Sequence, residues 1–448
     1  MGFVRVFSRH LFTDAGRASC PVLCALALLP AAAGAAPYGS NDPAQMPQPA
    51  PRQVAHPGGE RSFTDLYSVT WEEIPMPEST PVNPHIITAD SINNDGTIAG
   101  RGTNSIVLWH PDTQAWEEIP HDHNGRSVFI SPDGSSILTT DALQMPETHI
   151  LTWNRAEGWQ ALPRHTVSQS IAYGVSRNFR FVVGGGNNNG EVEQAWVWDI
   201  DGGVQQLLPN PDWSGGAAAW AVSDDGEVVV GAAVRAPEPG EIYPDVLAVR
   251  WVNGGAPTML LAPDGRELSG VVACNADCSI AFGATGWFLE DNGGFEFLGF
   301  MDPPIPDANP DPYITYTIHD ASADGSMIAG LYLANMYPTN PDSESYVRRP
   351  FIWTQTTGLT SLRSLTTELG IGDDDWNNIS TVCFSPDGRF LLISGEHRSA
   401  SYEWPRDRVV VLHLIPKFAY PMRGHSTHAR PPPPRVDRNG SLRAKPRS

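Results

Sequence analysis

The apolar residues of this chain recur in a unit of two short strands joined by a tight turn. Clear copies are Val222–Gly231 and Ala321–Gly330, in which Asp-Gly lies between two apolar stretches. Asp-Gly in that setting is a strong hairpin signal, because the turn needs positive φ. The seven turns fall at residues 96, 134, 179, 226, 278, 325 and 388. This recurrence predicts a repeat architecture.

Two of the seven turns lack the glycine. Copies three and five carry Phe179 and Cys278 at that position. A side chain on a residue at positive φ is unfavourable. We therefore expect these two turns to differ from the other five.

A second hairpin follows the first in six copies, as in Ile106–Trp109 with Trp116–Pro120. Each unit thus supplies four strands. The strand after the first turn is apolar at successive positions, for example Val228–Val230, which indicates a strand covered on both faces. Blades that stack face to face bury their inner strands in this way, whereas a single sandwich would favour alternation.

The two ends of the repeat region complement each other. Copy seven stops after a third strand, Arg408–Ile415, whereas Tyr67–Pro75 precedes copy one and matches the fourth strand Trp116–Pro120. An N-terminal strand that completes the last sheet leaves only short, protected edges. The sequence therefore predicts an all-β, seven-bladed β-propeller over residues 63–416, closed by an N-terminal strand. An open solenoid or two sandwiches are the alternatives.

The repeats resemble those of the bacterial extracellular HAF-repeat family. The similarity is clearest at Trp220–Gly231 and at Ala321–Gly330, followed by Arg349–Gly358. The His-Ala-Phe triplet of the family is altered, for instance to Gln194-Ala195-Trp196, and Phe384–Gly388 is more similar to TolB-type propeller repeats. The resemblance implies a β-propeller architecture and brings no catalytic residues.

The chain ends are predicted to lie outside the propeller. Residues 1–35 combine basic residues, the apolar run Pro21–Pro30 and an Ala-x-Ala site before Ala36, which describes a signal peptide. A membrane anchor is the alternative, but the apolar run is shorter than the roughly 20 residues of a spanning helix. We expect a secreted protein, extracellular or periplasmic, with a disordered linker at 36–62 and a disordered basic tail at 417–448.

Charge narrows the range of partners. The formal net charge is −21, although both chain ends are basic. An acidic body repels nucleic acid and anionic membrane surfaces. We expect a monomer that binds neither nucleic acid nor a membrane through a spanning segment. The basic tail either contacts acidic polymers or remains solvated.

Motifs for metals and catalysis are weak. His121-Asp122-His123 is the nearest approach to a zinc pair. Short acidic clusters that could take Ca²⁺ are Asp199–Asp201, Asp307–Asp311 and Asp373–Asp375, but none has the full spacing of a calcium loop. Turn aspartates such as Asp95, Asp225 and Asp324 are interpreted as turn formers. No cofactor is expected, with Ca²⁺ as the alternative.

The longest inter-strand loops supply the candidate binding residues. They span 232–246, 299–318, 331–348 and 396–407 and are rich in Tyr and Arg. The candidates are Tyr313, Tyr316, Tyr346, Arg348, Arg398, Tyr402 and Trp404. Loops on a rigid scaffold often carry function, and these residue types suit protein or polysaccharide contacts. Packing of the loops against the ring is the alternative.

These observations favour a binding or scaffold module for protein or glycan partners. No Ser-His-Asp arrangement and no Gly-x-Ser-x-Gly motif can be found. A glycan-acting enzyme, either a polysaccharide lyase or a hydrolase, is the alternative hypothesis. It depends on analogy with other propellers alone.

Three cysteines follow the signal region. Cys274 and Cys278 flank a turn-like triplet, so a hairpin would bring their thiols to bonding distance. We predict a disulfide between them, with two buried thiols as the alternative. Cys383 is left unpaired and is expected in a buried strand.

Counting free thiols tests this disulfide. The unreduced, denatured mature chain should react with one equivalent of a thiol reagent, because only Cys383 remains free. Prior reduction should raise the count to three. Three thiols without reduction would contradict the disulfide.

Overall fold

The chain is almost entirely β-structure. A computed structural model describes residues 62–76, 88–102, 105–121, 125–141, 149–162, 169–187, 193–212, 214–236, 244–283, 286–291, 293–298, 314–335, 346–362, 376–397 and 406–417. Its strands form seven antiparallel sheets of four strands each. We number these sheets blades 1 to 7. No helix in those ranges is long and apolar enough to cross a membrane.

The first four blades follow one another along the chain. Blade 1 holds β2 (Thr88–Ile92), β3 (Ile98–Arg101), β4 (Ser105–His110) and β5 (Ala115–Pro120). Blade 2 holds β6 (Gly125–Ile130), β7 (Ser136–Asp141), β8 (His149–Asn154) and β9 (Gly158–Ala161). Blade 3 holds β10 (Gln169–Val175), β11 (Phe181–Asn187), β12 (Gln194–Asp199) and β13 (Val204–Leu207). Blade 4 holds β14 (Ser214–Val222), β15 (Val228–Arg235), β16 (Asp245–Val252) and β17 (Thr258–Met259).

The last three blades include the N-terminal strand. Blade 5 holds β18 (Val271–Cys274), β19 (Ile280–Gly283), β20 (Trp287–Glu290) and β21 (Phe295–Phe297). Blade 6 holds β22 (Ile314–Ala321), β23 (Met327–Asn335), β24 (Tyr346–Thr354) and β25 (Gly358–Ser361). Blade 7 holds β26 (Trp376–Phe384), β27 (Phe390–His397), β28 (Arg406–Pro416) and β1 (Tyr67–Ile74), which follows the short helix α1 (Phe63–Leu66).

The blades pack face to face around a ring. Each blade contacts the next, and blade 7 contacts blade 1. That last junction buries Ile92 and Trp109 of blade 1 against Leu392 and Val411 of blade 7. Apolar residues at successive positions, as predicted for β15, are buried because both faces of the strand are covered. The molecule is therefore a seven-bladed β-propeller.

The N-terminal strand is hydrogen-bonded to the end of the repeat region. β1 pairs antiparallel with β28 in an unbroken register, from Tyr67 opposite Pro416 to Ile74 opposite Val409. Blade 7 gains its fourth strand in this way, and the pairing is the one expected from the sequence. Lys417 beyond β28 also donates its backbone N–H to Leu66 O, at 2.9 Å.

One tryptophan contact recurs at the junctions between blades. The indole N–H of Trp159 in blade 2 donates to Pro120 O of blade 1, at 3.0 Å. Trp116 of blade 1 donates in the same way to Pro75 O, directly after β1, at 2.9 Å. The junction that involves the N-terminal strand therefore has the same indole–carbonyl hydrogen bond as a junction between consecutive blades.

The Ser-x-Asp-Gly turns share an internal hydrogen-bond network. In blade 6, Ser322 Oγ donates to Asp324 Oδ1 at 2.7 Å, and that same oxygen accepts the Ser326 N–H at 2.9 Å. Met327 N–H donates to Ser322 Oγ at 2.9 Å. Equivalent bonds surround Ser131, Ser176, Ser223 and Ser385. Asp225 and Asp324 therefore act as turn formers, as predicted.

The expectation that two turns would differ was wrong. Phe179 and Cys278 have φ values of 62° and 50°, in the same left-handed region as Gly134 at 71°. Their N–H groups close the same turn, Phe179 to Ser176 O at 2.8 Å and Cys278 to Asn275 O at 3.0 Å. The side-chain network at the start of each turn sets its shape, because Ser176 and Asn275 accept the same N–H bonds as in the glycine-containing copies.

A bulge in the innermost strand explains the glycine that ends the motif Val-Val-Val-Gly. In blade 4, Ala219 pairs with Gly231 and Ala221 with Val230, so Trp220 is the extra residue. The bulge pushes the neighbouring carbonyl toward the second strand: a Cβ on Gly231 would lie 2.1 Å from Ala218 O. The same close approach occurs at Gly100, Gly184 and Gly330.

Substitution of Gly231 by alanine tests this account. The new Cβ must displace a strand carbonyl, so the unfolding free energy should fall by about 1–3 kcal/mol. Gly215→Ala is the matched control in the same blade, since its Cβ would lie 3.7 Å from the nearest heavy atom. Urea unfolding followed by tryptophan fluorescence provides the measurement. Equal stability of the two variants would contradict the close approach at the bulge.

Candidate functional site

The two faces of the ring differ in their connections. The Ser-x-Asp-Gly turns lie together on one face, which we call the turn face. Neighbouring turns are joined there by backbone hydrogen bonds, from Asp224 N–H to Ala276 O at 2.8 Å and from Ala276 N–H to Ala323 O at 2.9 Å. Blades 7 and 1 are joined at the same face through a side chain, since Asp387 N–H donates to Asn94 Oδ1 at 2.9 Å.

All of the long connections leave from the opposite face, which we call the loop face. Because the strands of each blade are antiparallel, the second-to-third strand connection and the connection to the next blade both lie there. The long ones run between Ile74 and Thr88, Arg235 and Asp245, Met259 and Val271, Phe297 and Ile314, Asn335 and Tyr346, Ser361 and Trp376, and His397 and Arg406. Turn-face connections are tight hairpins, such as that between Asn154 and Gly158.

Three of the predicted binding residues lie on described strands. Tyr316 is in β22, near the end of that strand on the loop face, and Tyr346 and Arg348 are in the first part of β24. In the blade 6 register, Tyr346 is opposite Asn335 and Arg348 is opposite Leu333. The topology therefore brings these backbone positions to one face of one blade.

The other four predicted binding residues, Tyr313, Arg398, Tyr402 and Trp404, lie outside the described residues. The strands that flank them, β22 for Tyr313 and β27 with β28 for the other three, have their nearest ends at the loop face. Blades 6 and 7 are neighbours. These four candidates consequently belong to connections of two adjacent blades on the same side of the ring.

The predicted disulfide lies at the turn face. Cys274 ends β18 and Cys278 occupies the following turn, with their sulfur atoms 2.10 Å apart and their Cα atoms 4.9 Å apart. Cys383 is the free cysteine of the described residues and lies in β26. Burial raises the pKa of its thiol well above the usual range, and the carboxylates of Asp320 and Asp90 add to the effect. A thiol of this kind is a poor nucleophile at neutral pH.

In the described part of the chain, none of the predicted metal sites has the geometry of a metal centre. His121 is buried and packs edge-on against the Trp159 ring, with centroids 4.5 Å apart, while Asp122 and His123 lie outside the described residues. Asp199 is held by the Arg180 guanidinium, at 3.1 Å. The clusters 307–311 and 373–375 also lie outside the described part. Within that part, no group of three or more His, Cys, Asp or Glu could hold a metal ion.

Polar side chains on the innermost strands were missed by the sequence analysis. Bulge positions in three blades hold Asp90, Tyr173 and His319, at points where the strand also carries buried apolar residues. A bulge redirects one side chain out of the alternating pattern, so these residues do not follow the period of a strand. The available signal was a polar residue directly beside a buried apolar one in these strands, such as His319 after Ile318.

The first of these groups is an ion pair within blade 1. Arg101 Nε and Nη2 donate to the two carboxylate oxygens of Asp90, at 2.6 and 3.0 Å. Burial is the largest influence on Asp90 and raises the pKa of the carboxyl group, while Arg101 acts in the opposite direction. The pair uses both oxygens of the carboxylate.

A second ion pair joins blades that are not neighbours. Arg177, in the turn of blade 3, donates to Ala321 O and lies 3.6 Å from Asp320 Oδ1, both in blade 6. Asp320 Oδ2 also accepts the Phe384 N–H of blade 7, at 2.8 Å. Blades 4 and 5 lie between blades 3 and 6 along the chain. The Arg177 side chain therefore crosses the central channel of the ring at the turn face. Burial raises the pKa of Asp320, with Arg177 opposing it.

Comparisons with known proteins show structural similarity to solved propellers but assign the chain to no family. No protein-family model matches the chain, and no curated protein sequence matches it. The resemblance to HAF repeats therefore stays a prediction.

Solved propeller structures share the general arrangement of strands. The β-propeller domain of the Trilobed protease from Pyrococcus furiosus is 11% identical, with a TM-score of 0.48 over 73% of this chain and 95% of that one. A putative TolB from Agrobacterium tumefaciens is 13% identical, with a TM-score of 0.37 over 78% and 99%. An oligogalacturonate lyase from Vibrio parahaemolyticus is 10% identical, with a TM-score of 0.44 over 77% and 97%. Likeness at this level carries no argument about function.

Removal of the Arg177 side-chain charge should make stability depend more strongly on pH. In Arg177→Met, Asp320 loses its cation, so its pKa in the folded state should rise further above the unfolded value. An acid with a raised folded pKa is stabilising below its unfolded pKa, and that stability is lost as pH rises through the folded pKa. We expect a loss of about 1–3 kcal/mol at neutral pH and a smaller loss at acidic pH.

Chemical unfolding of wild type and Arg177→Met across pH 4–8 provides the measurement. The double variant Arg177→Met/Asp320→Asn is the control, because it removes the unpaired charge and should flatten the pH dependence of the difference. A difference between wild type and Arg177→Met that grows as pH falls would contradict the ion pair across the channel.

Proposed function

We propose that this protein is a secreted binding module that uses its loop face to hold a protein or glycan partner. The observation that carries the proposal is the asymmetry of the ring. All of the long connections leave from one face, and the other face consists of tight hairpins joined to one another. Recognition residues are commonly held in this way, on loops positioned by a rigid scaffold.

The described part of the loop face already carries an ordered charge network. Arg235, at the end of β15, donates to Asp245 Oδ2 at 2.6 Å and to Glu267 Oε1 at 2.8 Å. These contacts hold the two ends of the connection between β15 and β16 together, and they anchor Glu267 beside them. A long loop with fixed ends loses less entropy when a partner immobilises it.

The candidate contact residues are the aromatic and basic side chains of blades 6 and 7. Tyr, Trp and Arg are the residue types that contribute most to binding at protein interfaces. Tyr402, Trp404 and Arg398 belong to a single connection between β27 and β28. Secretion is part of the proposal and depends on the signal-peptide pattern of residues 1–35.

Photo-crosslinking from defined positions tests the module hypothesis. A photoreactive phenylalanine derivative at position 402 or 404 should give adducts with a specific partner when the protein is secreted by its own cells. The same probe at Arg155 is the turn-face control, since that side chain is 64% exposed. Adducts from the turn face alone, or from neither face, would contradict a partner-binding loop face.

The enzyme alternative is tested separately with purified mature protein. Incubation with acidic and neutral polysaccharides should give binding in affinity electrophoresis without new reducing ends or unsaturated uronate products. Replacing Arg398, Tyr402 and Trp404 together by alanine should abolish the retardation, whereas Arg389→Ala on the turn face should not. Release of new chain ends would favour the glycan-acting enzyme.

A further inference from the structure

Three buried or partly buried carboxylates lie at or beside the innermost strands, and one of them has no basic partner among the residues that the structure describes. Asp90 is paired with Arg101, and Asp320 is paired with Arg177. Glu193 directly precedes β12 in blade 3. Among the described residues, the Tyr173 hydroxyl, at 3.2 Å, is the hydrogen-bond partner of its carboxylate, and no Lys or Arg forms an ion pair with it.

The backbone of Glu193 is fixed between two blades. Its carbonyl accepts the Ala217 N–H of blade 4 at 3.0 Å and the Asn210 side-chain amide at 3.2 Å. Glu193 also forms a bridge with Gly216, whose φ of 149° is in the glycine region. A Cβ at Gly216 would lie 3.2 Å from both the Glu193 N and O atoms. The backbone that carries this carboxylate is therefore held in place by both blades.

The surroundings of the carboxylate are aromatic and small. Its Oε1 would lie 2.5 Å from a Cβ on Gly185, so the side chain occupies the space that a glycine leaves. The Tyr173 ring packs against the Trp220 ring of blade 4, with centroids 5.7 Å apart. Tyr173, Glu193 and Trp220 all remain partly exposed. The buried indole N–H of Trp220 has no hydrogen-bond partner among the described residues.

We propose that Glu193, Tyr173 and Trp220 form a binding site for an organic cation that carries an ammonium or guanidinium group. A carboxylate beside aromatic rings is the combination that attracts such a group, through charge and through the faces of the rings. The two comparable carboxylates of the innermost strands have a cation supplied by the chain, and here the cation comes from the ligand. The net charge of −21 favours the approach of cations.

The protonation of Glu193 gives the site a pH dependence. Burial is the largest influence on this carboxyl group and raises its pKa, and the Tyr173 hydroxyl acts in the opposite direction. The ionised form binds the cation, so affinity should fall as pH drops through the raised pKa. The ammonium of the ligand stays charged over the same range.

Calorimetric titration of the mature protein with Nα-acetyl-lysine amide tests the site. Saturable binding should be observed, and the uncharged analogue Nα-acetyl-norleucine amide should not bind. Glu193→Gln keeps the shape of the side chain and should weaken binding about tenfold or more. Asp264→Asn makes the same change in net charge at a side chain that is 63% exposed, and affinity should stay within about twofold of wild type because exposed charges contribute little.

Two further arms identify the source of the cation and protect the test against misfolding. Tighter binding of a lysine-containing peptide than of spermidine indicates a protein partner, and the reverse order indicates a free polyamine; both outcomes support the site. If circular dichroism shows that Glu193→Gln has lost structure, Tyr173→Phe is used in its place. This variant removes one hydroxyl and should weaken binding. No saturable binding by wild type, or equal binding by folded Glu193→Gln, would overturn the proposal. The test alters none of the contact candidates in blades 6 and 7, so failure of this site and failure of the proposed loop-face function can be told apart.

Discussion

The constraint on which this structure depends is that no blade can bury its own side chains. A four-stranded sheet with apolar residues at successive positions has two faces to cover, and each face needs a neighbour. Val229 and Trp251 of blade 4 are covered by Val183 and Val197 of blade 3, in one cluster that crosses the junction. Every blade therefore covers a face of each neighbour and is covered by it in turn. An open row would leave its two terminal faces in water.

The ring follows from that constraint. The glycines of the second strands follow from the close approach of the two innermost strands in each blade. Where blades meet at the axis, the innermost strands bulge and their carbonyls press toward the second strand, so glycine occupies that position in four blades. The bulges also release single side chains from the apolar pattern. Asp90, Tyr173 and His319 occupy such bulge positions, and so the packing requirement of the fold places polar groups on its innermost strands.

The sequence predicted the parts of this fold that are local or that follow from the likeness between repeats. Hairpins could be recognised from Asp-Gly turns and the four-stranded unit from the tryptophan-containing second hairpin. The pairing of β1 with β28 was predicted from the likeness of Tyr67–Pro75 to Trp116–Pro120. The grouping of long loops on one face could also have been obtained by counting alternate connections. Contacts between distant copies could not: nothing in the turn Ser176–Arg180 indicates that Arg177 reaches Asp320, and nothing near Glu193 indicates the Trp220 ring.

The pairing of the N-terminal strand with the last blade is the central claim, and disulfide trapping tests it most directly. Thr70 of β1 is opposite His413 of β28, so cysteines at both positions should have Cβ atoms close enough to bond. Mild oxidation of Thr70→Cys/His413→Cys should link the two strands within one chain, as peptide mapping would show. Thr70→Cys/Gln160→Cys, with the second cysteine in blade 2, should stay unlinked. Free thiols in the first variant, or links formed only between chains, would contradict a ring that contains the N-terminal strand.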